Sequence, residues 1–152
     1  MSTPPRPPSL FLLMLGLLFQ GLSGLYGGGA LVADPTGALL QMPLRLLDGS
    51  PFSTYRIPGL ILLTVLDIGP LIGAIGLWLR RAWAWYGAVA IGGALLIWIG
   101  VEIWMVGYHA TPPLQLIYGA LGGILLGLSL LPSVRRALGR NETGPSAANT
   151  AR

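Results

Sequence analysis

Along this chain, long runs of apolar residues alternate with short segments that hold nearly all the charge. From Ser9 to Val32 no charged side chain occurs. A helix of that length rises roughly 36 Å at about 1.5 Å per residue, enough to cross a ~30 Å hydrocarbon core with some tilt. A second run, from Ile57 to Leu79, begins with Pro58 in the first helical turn, where a missing N–H costs nothing, and stops at Arg80 and Arg81. A third run begins at Trp83 and reaches Tyr108. Only about three residues separate it from the second, so the two must form an antiparallel pair. The fourth run covers 113–131. The pattern predicts an all-α fold, an integral membrane four-helix bundle with spans over 9–32, 57–79, 83–108 and 113–131.

The segments between the runs refine this picture. Residues 1–8 hold Pro4, Pro5, Pro7 and Pro8 and form a polar N-terminal tail, because proline fixes φ and removes a donor. Residues 33–56 are rich in turn formers. Within them Leu39, Leu40, Leu44 and Leu47 recur at helical spacing opposite Gln41 and Arg45, which predicts a short amphipathic helix on the membrane surface, limited by Pro43. Residues 133–152 are polar and rich in Ala, Gly and Ser, and are expected to be a disordered cytoplasmic tail. Arg6, Arg80, Arg81, Arg135, Arg136, Arg140 and Arg152 fall on one side of the four runs, and only Arg45 and Arg56 on the other. Basic residues hold loops in the cytoplasm, so both termini are expected there, in a multi-pass protein of the inner (plasma) membrane. The first run also admits a different reading, a cleaved secretory signal ending near Gly28-Gly29-Ala30, although its length exceeds the usual apolar region of a signal.

Composition agrees with lipid as the solvent. The chain is 53% hydrophobic and 9% charged, against about 25% charged for a soluble domain. Its formal net charge of +4 does not indicate a nucleic-acid surface, because the arginines flank apolar blocks rather than gather on a soluble face. Cysteine is absent, which removes disulfides, thiolate metal sites and thiol redox chemistry. One histidine and scattered carboxylates give no metal-ligand spacing, and no cofactor motif or nucleophile–base pair stands out, so no metal, cofactor or enzymatic activity is expected.

Two acidic residues lie inside predicted spans, where a charge at the bilayer centre costs at least ~2.5–3.5 kcal/mol. Asp67 falls near mid-depth and is expected to be neutral, because desolvation disfavours the charged form. Glu102 lies closer to the outer end. Trp98 and His109 share the Glu102 face of the third span, and Gln115 and Tyr118 enter from the same membrane side on the fourth. Asp67, Trp98, Glu102, His109, Gln115 and Tyr118 are therefore the candidate ligand-binding set, gathered in the outer half. The inner half offers almost no polar side chain, which speaks against a conduit through one monomer. Small residues let helices approach closely in lipid, and Gly24, Gly69, Gly73, Gly119, Gly123 and Gly127 are the candidate packing positions.

The strings Asp34-Pro-Thr-Gly37, Gly49-Ser-Pro-Phe52, Ile57-Pro-Gly-Leu-Ile-Leu62 and Leu114-Gln-Leu-Ile-Tyr118 resemble a family of small, uncharacterised bacterial four-span integral membrane proteins. The resemblance covers roughly residues 20–135 and implies a bacterial four-span fold and no reaction. Small multidrug transporters differ where their mechanism lies: they carry a glutamate in the first span, and this chain has Gln20 and no carboxylate there. Two functional classes follow. One is a non-enzymatic protein packing with itself or with a membrane complex through its glycine faces. The other is a binding protein or transporter for a small lipophilic ligand held in the outer half.

Overall fold

In the computed structural model, which describes residues 6–108 and 112–139, all regular structure among the described residues is helical. Helix α1 spans Pro8–Ala33. A loop with two single 3₁₀ turns, Ala38–Leu40 and Leu44–Leu47, leads to a second long helix. That helix has three parts: α2 (Arg56–Ile61), a π-helical segment (Leu62–Ile68) and α3 (Gly69–Trp78). Helices α4 (Trp83–Val106), α5 (Leu114–Leu130) and α6 (Pro132–Gly139) complete the described residues. Helix α1, the continuous Arg56–Trp78 helix and Trp83–Met105 of α4 are each long and apolar enough to cross a membrane. Helices α5 and α6 make a fourth if the pair, bent by 60°, forms one broken span.

The single amphipathic helix expected between the first two long helices does not form. Gly37 and Gln41 take left-handed backbone conformations and Pro43 interrupts the run, so the leucines are split between two 3₁₀ turns. Leu47 is buried, while Leu39 and Leu44 face outward.

The π segment traces to Pro70. Its ring presses on the carbonyl four residues earlier and supplies no N–H, so the Leu66 carbonyl has no α-helical donor. The helix widens there, with the Gly69 N–H reaching back five residues to the Thr64 carbonyl. Gln20 of α1 fills the gap: its Nε2 donates to the Leu66 carbonyl at 3.0 Å.

Helix α1 packs against the long second helix and against α5, and α4 packs against α5 and α3. The buried stripe of α1 follows helical spacing: Leu10, Leu13, Leu17, Gln20, Gly28 and Leu31. Its first three leucines join Leu77, Ala84, Ala88, Ile91, Leu95 and Leu125 in the main core. The long helices also turn large apolar side chains outward. Phe11 (52% exposed), Ile72 (52%), Ile97 (69%) and Ile124 (57%) point outward from four different helices, an arrangement that water would penalise and lipid would not.

At the end where the arginines gather, α3 stops in a Schellman turn. The Arg81 N–H bonds the Gly76 carbonyl at 2.8 Å and the Arg80 N–H the Leu77 carbonyl at 3.0 Å. Arg80 occupies the left-handed position that glycine usually takes, at φ 53°. Residues 133–139, expected in a disordered tail, form α6 instead. Val134 and Leu138, four apart, are fully buried in the main core, while Arg135 and Arg136 stay exposed. The Ser9 and Ser133 hydroxyls meet at 2.8 Å, fastening α6 to the start of α1. The rest of that tail and residues 1–5 lie outside the described residues.

Candidate functional site

The loop between α1 and α2 folds around Tyr55. Asp34 holds its first turn: Oδ1 accepts from the Thr36 N–H (3.1 Å) and hydroxyl (2.6 Å), and Oδ2 from the Leu39 N–H (3.1 Å). These donors, the Thr36 hydroxyl foremost, hold the Asp34 carboxyl below its ordinary value. The Tyr55 N–H bonds the Pro35 carbonyl at 2.9 Å, and its hydroxyl donates to the Pro43 carbonyl at 3.0 Å. Burial pushes the phenol above its ordinary value. Gly37 is required twice, by its φ of 79° and because a Cβ there would meet the Tyr55 ring at 2.8 Å.

This folded loop roofs a cavity of about 230 Å³ between the start of the second helix and the last turns of α4. Leu40, Met42, Leu46, Leu47 and Phe52 come from the loop. Ile61 and Leu62 form one wall, and Trp98, Val101, Glu102 and Met105 of α4 the other. Glu102 brings the one acidic side chain to this lining. Its Oε1 accepts from Gln115 Nε2 at 3.2 Å, and the same carboxamide donates to the Gly107 carbonyl at 3.1 Å, where α4 ends. Gln115 is buried, so it holds Glu102 from behind while the carboxyl borders the cavity. Such a lining suits an apolar body with a single donor or cationic group directed at Glu102.

Of the six residues proposed from sequence for one site, Trp98 and Glu102 line the cavity and Gln115 supports Glu102. Tyr118 is half-buried against the main core. His109 lies outside the described residues. Asp67 is elsewhere: fully buried in the π segment, its carboxyl is seated against Gly24 and Gly28 of α1 and takes no part in the cavity lining. Among the described residues, neither Asp67 oxygen nor Gln20 Oε1 has a hydrogen-bond partner. All three are acceptors, and a neutral carboxylic acid would carry the donor they lack. Tyr55 and the roof leucines were not among the candidate site residues, because the sequence pattern put Leu40 and Leu47 on a surface helix and the site was sought among polar groups of the spans.

The glycines divide by the direction they face. Gly24 receives Asp67, and a Cβ on Gly73 would meet Ile91 at 3.4 Å and Leu17 at 3.7 Å, so both serve contacts within the chain. Gly69 and Gly119 sit at ordinary distances from their neighbours, whereas Gly123 and Gly127 face open space. The close approach of α4 and α5 is made by Gly92, where a Cβ would meet the Leu126 backbone N at 2.9 Å, and by Gly122 against Leu96. No three His, Cys, Asp or Glu side chains come together among the described residues. Comparison with protein-family models, curated proteins and solved structures yields no match.

Proposed function

We propose that this chain is a four-span membrane protein that binds a small lipophilic ligand in the cavity beneath its outer loop. The observation that carries the reading is the apolar chamber walled by one carboxyl, Glu102, whose position is set by a buried carboxamide. A lining of this kind selects a ligand with an apolar body and one hydrogen-bond donor or positive group. The distribution of arginines supports both termini in the cytoplasm and the cavity on the opposite side. Helix α6, with Arg135 and Arg136 exposed, fits a helix lying along the inner interface.

The test is ligand-dependent stabilisation of the purified protein in detergent, using a panel of lipophilic amines and their neutral analogues. A true ligand at 100 times its Kd raises stability by about 2.7 kcal/mol. Val101→Trp, which fills the cavity from an exposed wall position, should abolish the effect. Glu102→Gln should remove the preference for amines. Stabilisation that survives Val101→Trp would sink the proposal. Reporter fusions after Arg81 and near Asp48 should read cytoplasmic and external respectively.

A second reading rests on α5. Gly123 and Gly127 open outward with no neighbour, on a helix face that also exposes Leu116 and Ile124. This face favours association with a second copy. Gly123→Leu should then lower the oligomeric state in native membranes, whereas Gly73→Leu would act on the monomer's own packing.

A further inference from the structure

A second cavity, also of about 230 Å³, runs along the outside of the molecule between α1 and α3 in the half that holds the arginines. Phe11, Leu15 and Leu18 form one side, Ile75 and Trp78 the other, and Ala74 belongs to the floor. From Phe11 to Leu18 it extends roughly 10 Å along the helix axis, at about 1.5 Å per residue. No polar side chain lines it. At its open end lies Arg6. One guanidinium nitrogen donates to the Trp78 carbonyl at 2.9 Å, and the guanidinium carbon stands 4.1 Å above the centroid of the Trp78 ring. The cation thus sits over the aromatic that ends the groove, and only one of its five N–H donors is engaged by that carbonyl.

Among the described residues the charge around this end has one sign. Arg80 and Arg81 follow Trp78 within three residues, and Arg135 stands 5.3 Å from the Trp85 ring centroid at the same end. The described acidic residues Asp34, Asp48 and Glu102 belong to the opposite end, and Asp67 is enclosed. An elongated apolar groove that terminates in an arginine, within a field of arginines, matches an acyl chain joined to a phosphate. We propose that this groove holds one anionic glycerophospholipid of the inner leaflet, with an acyl chain between α1 and α3 and its headgroup phosphate on Arg6. A guanidinium suits the task because its fork can pair two oxygens at once. The site is independent of the outer cavity and of any ligand there, and shares with the proposed function only the premise of membrane insertion.

The experiment is native mass spectrometry of the full chain released from nanodiscs of equimolar phosphatidylglycerol and phosphatidylcholine of matched acyl chains. Wild type should retain phosphatidylglycerol over phosphatidylcholine by about five-fold or more, the scale expected for one basic residue at an anionic surface. Arg6→Gln should bring the two lipids close to parity, and Arg6→Lys should restore part of the preference. Leu15→Trp, which fills the groove from an exposed position, should cut retention of both lipids while leaving helicity and melting temperature unchanged. Arg45→Gln, at the other end, should change nothing. Equal retention of the two lipids by wild type, or wild-type retention in both Arg6→Gln and Leu15→Trp, would overturn the site. Loss of preference in Arg45→Gln would show a general charge effect and overturn it equally.

Discussion

The seat of Asp67 against α1 allows a sharp test of how the first two long helices meet. A methyl group on Gly24 would overlap the Asp67 carboxyl, and the three nearest atoms to it all belong to that side chain. On Gly28 a methyl would meet the same carboxyl and also the Leu63 backbone, with N at 2.8 Å and Cα at 2.9 Å. Overpacking of this kind costs about 1–3 kcal/mol, while replacing helical glycine by alanine returns about 1 kcal/mol. Gly24→Ala alone should therefore destabilise by up to about 2 kcal/mol. In an Asp67→Ala background only the propensity gain remains, and the same change should stabilise by about 1 kcal/mol. The coupling energy of the cycle is then about 1–3 kcal/mol. Gly28→Ala should stay destabilising in both backgrounds, because a backbone cannot step aside as a side chain can. Reversible unfolding in mixed micelles with rising SDS fraction, followed by far-ultraviolet circular dichroism, measures all six proteins. Additivity of Gly24→Ala and Asp67→Ala within about 0.5 kcal/mol would refute the contact.

Three further outcomes follow from the hydrogen bonds. Gln20→Leu should cost about 1–3 kcal/mol by stranding the Leu66 carbonyl, and far less once Pro70→Ala supplies a backbone donor; the same unfolding assay decides. Trp85→Phe removes the 2.7 Å bond from Nε1 to the Ser129 carbonyl in the last turn of α5 and should cost about 0.5–1.5 kcal/mol; an unchanged midpoint would show that another donor replaces it. The Asp34 carboxyl titrates below its ordinary value of 3.8, so its hold on the loop is complete above that pH and is lost as pH falls through the lower folded value. Protection of the Thr36 and Leu39 amides from hydrogen exchange, relative to the intrinsic rate at each pH, should accordingly fall only in strong acid, and a loss of protection near pH 6 would contradict the assignment.

The long helices were legible in the chain because charge and proline mark their ends: Arg80 and Arg81 close the second and Pro113 precedes α5. Their rotation was less legible. On α5 the glycines at 119, 123 and 127 read as a packing ridge, yet the buried stripe is Gln115, Gly122, Leu125 and Ser129, set by where Gly92 lets α4 come close. The π segment leaves no periodic trace; Pro70 was its visible cause, and Gln20 its remote complement. Helix α6 carried a signal in Val134 and Leu138, four apart between arginines, which the polar composition of the whole tail concealed. For the candidate site, Glu102 stood out as an acid inside a span, Trp98 by its helical spacing from it and Gln115 by its depth, and the structure places the first two on one cavity with Gln115 behind Glu102. The roof was missed because 3₁₀ turns around Pro43 follow no α-helical period, and Asp67 was assigned to the wrong company because depth alone does not give direction.

Helix α6 also bears on the order in which the molecule is completed. Ser9 and Ser133 are separated by 124 positions, so the start of α1 waits for α6 before its neighbours are complete. During synthesis Leu10 and Leu13 emerge long before Val134 and Leu138, with which they share the main core. A chain stopped after α5 would keep its long helices and lack the piece that covers their inner end, leaving those leucines a bare apolar edge beside the water.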